Sequence, residues 1–175
     1  MALKFEELRV LQAAEAIADG IWRQVVRWEP FAREVVGGQM ARAGDSIGAN
    51  IAEAFGRFHY GEKLQFLYYA RGSLFETKHW LNRARTRDLM PSAQVQDYVS
   101  QLTDLARQLN AFAATLKAQR HSSRSQPKTM REATTDYVTG WSDDASVPLF
   151  TEDELEWLQT IPNNQYRISN NHYPL

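Results

Sequence analysis

The chain has 175 residues, of which 43% are apolar, with 20 Lys+Arg against 21 Asp+Glu and no cysteine. This composition suits one globular domain with additional length, and it excludes a disulfide framework, a thiolate zinc site and a cysteine nucleophile. The charged start from Met1 to Arg9 and the short apolar runs indicate neither a signal peptide nor a membrane span, so we expect a cytoplasmic protein.

The near-zero net charge hides a difference between two parts of the chain. Residues 1–120 carry 16 Lys+Arg and 13 Asp+Glu, a net charge of +3, whereas residues 121–175 carry 4 and 8, a net charge of −4. The two parts also differ in kind, because the second opens with a run of Ser, Gln and Pro that has too little apolar content to be buried.

Four helices are predicted over the first part, because apolar residues recur there at three and four positions. We expect the first at about 4–28, ending at Glu29-Pro30, and the second at about 34–57. The second contains Ala41, Gly44, Gly48 and Ala52 on one face of small residues, which favours close approach of a neighbouring helix.

The third helix is expected from just after Gly61 to about Asp88, and a turn at residues 89–92 separates it from the fourth. The fourth has the clearest apolar stripe in the sequence, in steps of three and four: Val95, Tyr98, Leu102, Leu105, Leu109, Phe112 and Leu116. Short turns favour antiparallel neighbours. The predicted fold is therefore all-α, an antiparallel up-down-up-down four-helix bundle over residues 1–120 with a C-terminal extension.

The extension is predicted to be a flexible linker over residues 121–150, followed by a short amphipathic helix and an irregular tail over residues 151–175. The helix is expected at about 151–160, because Thr151 and Glu154 form a capping-box pattern ahead of Leu155, Trp157 and Leu158.

Two strings imitate catalytic motifs without their context. Gly44-Asp45-Ser46-Ile47-Gly48 matches the nucleophile elbow of hydrolases, but no strand precedes it, so a helix-packing role is expected. Glu76 and His79 have the spacing of one di-iron ligand pair, but such sites need a second pair and two further glutamates. A metal-dependent oxidase is therefore a distant alternative, and we predict no enzyme, no cofactor and no metal site.

Basic side chains on the helices are the remaining functional candidates. On the third helix Arg71, Lys78 and Arg85 recur every seven residues and share one face. Arginine suits bidentate contacts to phosphate. The predicted nucleic-acid-binding residues are Arg23, Arg27, Arg42, Arg57, Arg71, Lys78, Arg83, Arg85 and Arg87.

Three strings in chain order carry a family resemblance: residues 5–12, residues 39–57, which include Ser46-Ile47 and Asn50-Ile51-Ala52-Glu53, and residues 66–76, which include Ala70-Arg71-Gly72-Ser73-Leu74. Together they resemble the bacterial four-helix-bundle family of ribosomal RNA intervening-sequence proteins and of the accessory variability determinant of diversity-generating retroelements. The resemblance implies a homopentameric barrel without catalytic activity, whose retroelement members bind a reverse transcriptase and its RNA through basic surfaces. Asn50 and Glu53 are interpreted as structural groups that tie the second helix to a neighbour.

The leading functional hypothesis is a non-catalytic oligomeric accessory protein that binds RNA or single-stranded DNA and scaffolds a reverse transcriptase. The alternative is a protein-only pentameric adaptor whose C-terminal tails dock on a partner through Leu155, Trp157 and Leu158. The other interpretation of Trp157 is that it packs on its own bundle. The charge difference adds a further hypothesis, that the acidic tail lies over the basic bundle and competes with nucleic acid.

Overall fold

The computed structural model describes residues 8–124 and 147–162, and within these ranges the protein is all-α, which confirms the predicted fold class. Five helices are present there, and no strand. They are α1 (Arg9–Val25), α2 (Pro30–Ala32 continued through a π-helical turn, Arg33–Gly37, into Gly38–Gly56), α3 (Tyr60–Thr86), α4 (Ser92–Arg124) and α5 (Glu152–Gln159). None of these helices is both long and apolar enough to cross a bilayer.

The four long helices enclose one apolar core. Helix α1 packs on α2 and α4, and α3 packs on the same two helices. The apolar stripe predicted for α4 lies in this core, where Val95, Leu102, Leu105 and Leu109 are fully buried and Phe112 is partly buried. The three-and-four spacing therefore identified the buried face of α4 correctly.

Small residues let α1 and α2 approach closely. A methyl group placed on Gly37 would lie 2.5 Å from Cγ1 of Val25, and one on Gly44 would lie 3.2 Å from Cδ1 of Ile21. Further along α2, a methyl group on Gly48 would lie 3.9 Å from Cβ of Ala14. The close approach predicted from the small-residue face is confirmed, and the neighbour is α1.

Polar contacts join α2 to α3. The Asn50 side-chain amide donates to the backbone oxygen of Ser46 at 2.8 Å and to Oγ of Ser73 on α3 at 3.4 Å. Nζ of Lys63 donates to the backbone oxygen of Phe55 at 3.3 Å, where the chain passes from α2 to α3. The structural role predicted for Asn50 is thus confirmed.

The turn after α3 places Asp88 in the left-handed region, with φ of 56°. The amide of Leu89 donates to the oxygen of Ala84 at 2.9 Å, and the amide of Asp88 donates to that of Arg85 at 3.0 Å. These two bonds define a Schellman motif, in which glycine usually occupies the position of Asp88.

Helix boundaries differ from the predictions at three places. Helix α1 ends at Val25 rather than near residue 28. Helix α2 begins at Pro30 rather than near residue 34, because proline has no amide hydrogen to satisfy and is favourable in a first helical turn. Helix α4 continues to Arg124, beyond the predicted bundle boundary at residue 120. The start of the first predicted helix, residues 125–146 of the predicted linker and the tail after residue 162 lie outside the described residues.

The C-terminal helix α5 forms at the predicted position and with the predicted cap. The Thr151 hydroxyl accepts from the amide of Glu154 at 3.3 Å, and the Glu154 carboxylate accepts from the amide of Thr151 at 3.0 Å. Helix α5 packs on α4, and the apolar side chains of its segment are buried there: Leu149, Phe150, Leu155 and Leu158.

Candidate nucleic-acid interface

The nine predicted basic residues fall into three regions of the structure. Three of them lie toward the end of α1 or in the first half of α2: Arg23 in the last turn of α1, Arg27 just after that helix, and Arg42 in α2. Three lie on one face of α3, under the C-terminal segment: Arg71, Lys78 and Arg85. The other three lie near the ends of α3: Arg57 between α2 and α3, Arg83 in the last turn of α3, and Arg87 just after it.

Four exposed arginine side chains lie in this region, and we call them the arginine end: Arg23, Arg27, Arg33 and Arg42. Two large aromatic side chains accompany them, Trp22 at 59% exposure and Phe31 at 78%. The contacts of Val25 with Gly37 and of Ile21 with Gly44 bring the last two turns of α1 against the first half of α2, so these side chains lie toward one end of the bundle. The stretch from residue 22 to 42 contains four arginines and two glutamates, a local excess of two positive charges.

Arg71, Lys78 and Arg85, which we call the α3 stripe, are covered by residues 147–162, which we call the cover segment. Arg71 forms an ion pair with the Glu154 carboxylate. The Lys78 ammonium donates to the backbone oxygen of Trp157, and Nη2 of Arg85 donates to that of Pro162 at 2.6 Å. All three predicted cations therefore hold the same segment of their own chain.

Aromatic rings fill the space between these polar contacts. The Lys78 ammonium lies 3.8 Å from the centroid of the Trp157 ring, and the Arg71 guanidinium lies 4.8 Å from that of Phe75. The Phe75 ring is 5.7 Å from the ring of Phe150 and 5.5 Å from that of Trp157. Phe75 on α3 thus packs against both aromatic residues of the cover segment, with cations on either side.

Lys78 is the most deeply buried cation among the described residues, with a relative exposure of 0%. Burial lowers the pKa of Lys78 from its ordinary 10.5 to about 8, because a charged ammonium loses its hydration under the cover segment. The carbonyl oxygen and ring face of Trp157 replace part of that hydration.

The arginines of the α3 stripe are only partly satisfied by the cover segment. Arg71 and Arg85 each use Nη2, whereas Nε of both residues is buried and has no hydrogen-bond partner in the described part of the chain. A guanidinium binds an oxyanion best when two of its parallel N–H groups bond together. At Arg71 and Arg85 the cover segment therefore binds only one of the two parallel N–H groups that an oxyanion could bind together.

The other predicted basic residues have separate surroundings. Arg57 forms an ion pair with Glu53 and lies 4.6 Å from the centroid of the Phe66 ring. Arg83 lies in the last turn of α3 and is partly buried, whereas Arg87 is exposed just after it. The structure does not bring these residues into the arginine end or the α3 stripe.

The three predicted partner-docking residues lie on the inner and lateral sides of α5. Leu155 and Leu158 are buried with the core of the same chain, and Trp157 is 47% exposed with its ring against Phe75 and Lys78. Trp157 therefore contacts its own bundle, which is one of the two interpretations that the sequence left open.

Several residues that hold the cover segment were not predicted from the sequence, and Asn110 and Phe150 are two of them. The Asn110 amide donates to the backbone oxygen of Phe150 at 2.8 Å, and its Oδ1 accepts from the Phe150 amide at 2.6 Å. Phe150 directly precedes the cap Thr151 and Leu155 follows it by four positions, and both are buried. This spacing is that of a hydrophobic staple. The pattern is visible in the sequence, and it indicates that α5 begins against a packed surface.

The two strings that imitate catalytic motifs have ordinary helical surroundings. Ser46 lies inside α2, and no strand precedes it in the described residues. Glu76 and His79 are exposed on α3, and the Glu76 carboxylate accepts from the Trp80 indole at 3.3 Å. Nowhere in residues 8–124 and 147–162 do three metal-ligating side chains form a group.

Comparison with known proteins identifies one family. A family model described as 23S rRNA-intervening sequence protein matches residues 6–111, which is more than half of the chain. No curated protein sequence matches the chain. The matched range includes the arginine end and the α3 stripe, and it stops within α4, so the cover segment lies outside it.

Proposed function

Because this chain belongs to the 23S rRNA-intervening sequence protein family, we propose that it is a non-catalytic accessory protein that binds single-stranded RNA or DNA. The observation that carries the proposal is the arginine end, where exposed arginines and exposed aromatic rings share one end of the bundle. Proteins that bind single strands combine these two features, with cations for the phosphates and rings for the bases.

The arginine end supports binding without strong sequence preference. The guanidinium groups of Arg23, Arg27 and Arg42 are exposed and able to contact phosphate oxygens. Trp22 and Phe31 offer ring faces, and every nucleobase can stack on such a face. The proposed activity is therefore binding and positioning of a strand, and it requires no reaction at the protein.

The proposal includes an assembly. Residue contacts such as Val25 with Gly37 and Ala14 with Gly48 run in opposite chain directions along α1 and α2, which supports an antiparallel up-down-up-down bundle. We propose that five such bundles form the homopentameric barrel that the family resemblance implies. Five bundles of net charge +3 would bring about +15 to one assembly, which favours a polyanionic partner. The proposed protein partner is a reverse transcriptase held beside the bound strand.

A salt titration tests the proposal. We expect a fluorescent single-stranded RNA to bind the protein with an affinity that falls steeply between 50 and 200 mM salt. Replacing Arg23, Arg27 and Arg42 by glutamine should reduce the slope of log K against log salt by about 2, since each phosphate contact on a single strand contributes about 0.7. Arg107→Gln is the control, because Arg107 is exposed on α4 and pairs with Asp104. Salt-independent binding, or an unchanged slope in the triple variant, would contradict the proposal.

The adaptor alternative requires a different state of the cover segment. Leu155 and Leu158, its main apolar docking residues, are buried on their own bundle and become available to a partner only after the segment leaves. The described contacts therefore favour nucleic-acid binding over the adaptor.

A further inference from the structure

We propose that the α3 stripe is a second, latent binding surface for single-stranded RNA, which the cover segment occupies in place of a strand. This inference rests on the proposed function and extends it to three cations that contact the docked segment, of which Lys78 is fully buried and Arg71 and Arg85 are partly exposed. RNA and the cover segment would then exclude each other, so the cover segment limits how much RNA the protein holds.

Charge complementarity is the first argument. Residues 147–162 contain Glu152, Asp153, Glu154 and Glu156 and no Lys or Arg, a net charge of −4. Only one of these carboxylates, that of Glu154, has a described contact with the α3 stripe. The segment therefore brings a polyanion to a row of cations, while most of its charge remains on the solvent side.

The groups that the segment presents to the stripe resemble those of a nucleotide strand. A carboxylate and two backbone oxygens accept from Arg71, Lys78 and Arg85, as phosphate oxygens would. The rings of Phe150 and Trp157 pack on Phe75, as unpaired bases stack on an exposed aromatic residue. Displacement of the segment would thus uncover a row of three cations with an aromatic platform between two of them.

The buried Nε atoms of Arg71 and Arg85 favour binding of an oxyanion over binding of the cover segment. Nε of Arg71 and of Arg85 are covered without a hydrogen-bond partner in the described structure. A phosphate group has two oxygens at the separation of Nε and Nη2, so it can satisfy both donors at once. A strand would therefore form contacts at these two arginines that the cover segment does not form.

The test compares the full chain with a released variant, Leu155→Ser with Leu158→Ser, which removes the two buried leucines of α5 and leaves every charge and the α3 stripe unchanged. Amine acetylation followed by mass spectrometry reports release directly, because Lys78 is inaccessible when the segment is docked. Circular dichroism verifies that the bundle remains helical. If the released variant misfolds, two single substitutions give a milder test. Glu154→Gln removes the ion pair with Arg71, and Glu156→Gln makes the same charge change at an exposed position.

RNA binding of these variants decides the inference. We expect the released variant to bind a single-stranded 20-mer at least tenfold more tightly than the full chain at 50 mM salt, with a salt slope steeper by about 2. Adding Arg71→Gln, Lys78→Gln and Arg85→Gln to the released variant should remove this gain. Glu154→Gln should strengthen binding more than Glu156→Gln does.

Two results would overturn the inference and leave the proposed function in place. The first is unchanged RNA affinity in the released variant although Lys78 has become reactive. The second is that the uncovered stripe binds an added peptide of residues 147–162 but no RNA, which would make it a peptide site. Absence of RNA binding in both the full chain and the released variant would instead contradict the proposed function itself.

Discussion

Lys78 lies in surroundings that its position in the sequence pattern does not predict. Its seven-residue spacing from Arg71 and Arg85 is typical of a solvated helix face, yet its ammonium is fully buried under Trp157. A buried amine without a carboxylate beside it is costly in its charged form. Its protonation therefore contributes to how stability depends on pH.

The lowered pKa of Lys78 predicts that the protein becomes more stable as pH rises from 8 toward 9.5. In the folded protein this pKa is about 8, below the ordinary value of 10.5 that applies to the unfolded chain. Below pH 8 both states hold the proton, whereas above it the unfolded state holds more protons, so the free energy of unfolding increases with pH. Contact with the Trp157 ring favours the charged form and limits the increase.

Urea unfolding at pH 7.5 and 9.5, followed by circular dichroism, measures this effect. The control is Lys78→Met, which cannot titrate and should lack the increase. The range stays below pH 10 because burial raises the pKa of Tyr98, which works in the opposite direction at higher pH. Equal pH dependence in the protein and in Lys78→Met would rule out Lys78 as the source.

Asn110 is predicted to be the main polar anchor of the cover segment. Its side chain satisfies both the amide and the carbonyl oxygen of Phe150, at 2.6 and 2.8 Å. Asn110→Leu leaves these two backbone groups without a partner, which costs about 1–3 kcal/mol. We expect faster acetylation of Lys78 in this variant. Thr115→Val is the control, since Thr115 donates only to Ala111 on its own helix, and an equal effect of both variants would contradict the prediction.

At the scale of helices, the contact between α1 and α2 leaves no room for a side chain at Gly37. A methyl group there would lie 2.5 Å from Cγ1 of Val25, a short and buried side chain that cannot move far. We expect Gly37→Ala to lower the free energy of unfolding by about 1–2 kcal/mol, because the overlap outweighs the gain in helix propensity.

Gly72 is the matched control for this prediction. It lies inside α3, is exposed, and has nothing within 4 Å of a methyl group placed on it. Gly72→Ala should therefore raise the free energy of unfolding by about 0.5–1 kcal/mol. Urea unfolding of the two variants should give opposite signs, and the same sign in both would show that packing does not decide the outcome at Gly37.

The helices were predictable from the sequence, and the docking of α5 was not. Val95, Leu102 and Leu109 recur at helical spacing, so the buried face of α4 is encoded locally. The capping box at Thr151 is likewise local. Contacts such as Arg71 with Glu154 join residues far apart in the chain, and neither periodicity nor capping reports them. The α3 stripe was thus recognised as basic, whereas its cover was signalled only by the charge difference between two parts of the chain and by the staple spacing of Phe150 and Leu155.

At the scale of the whole molecule, the proposed assembly predicts the mass in solution. A pentamer of 20.1 kDa chains has a mass of about 100 kDa, which light scattering distinguishes from a monomer or dimer. Full chains would give the pentamer a net charge of about −5, whereas the bundles alone contribute about +15. We therefore expect RNA binding of the assembly to depend on where the tails lie. A species of 20 or 40 kDa at micromolar concentration would contradict the pentamer.

The cover segment is joined covalently to the surface that it occupies, through the 22 residues from 125 to 146. A tethered ligand has an effective concentration near the millimolar range, and diluting the protein does not lower it. RNA must therefore compete with the tethered segment, which would raise the apparent Kd of the α3 stripe for RNA by a constant factor at any abundance of the protein. A separate inhibitor would raise this apparent Kd by a factor that varies with the inhibitor's own concentration, whereas the factor set by the segment is fixed by a single chain.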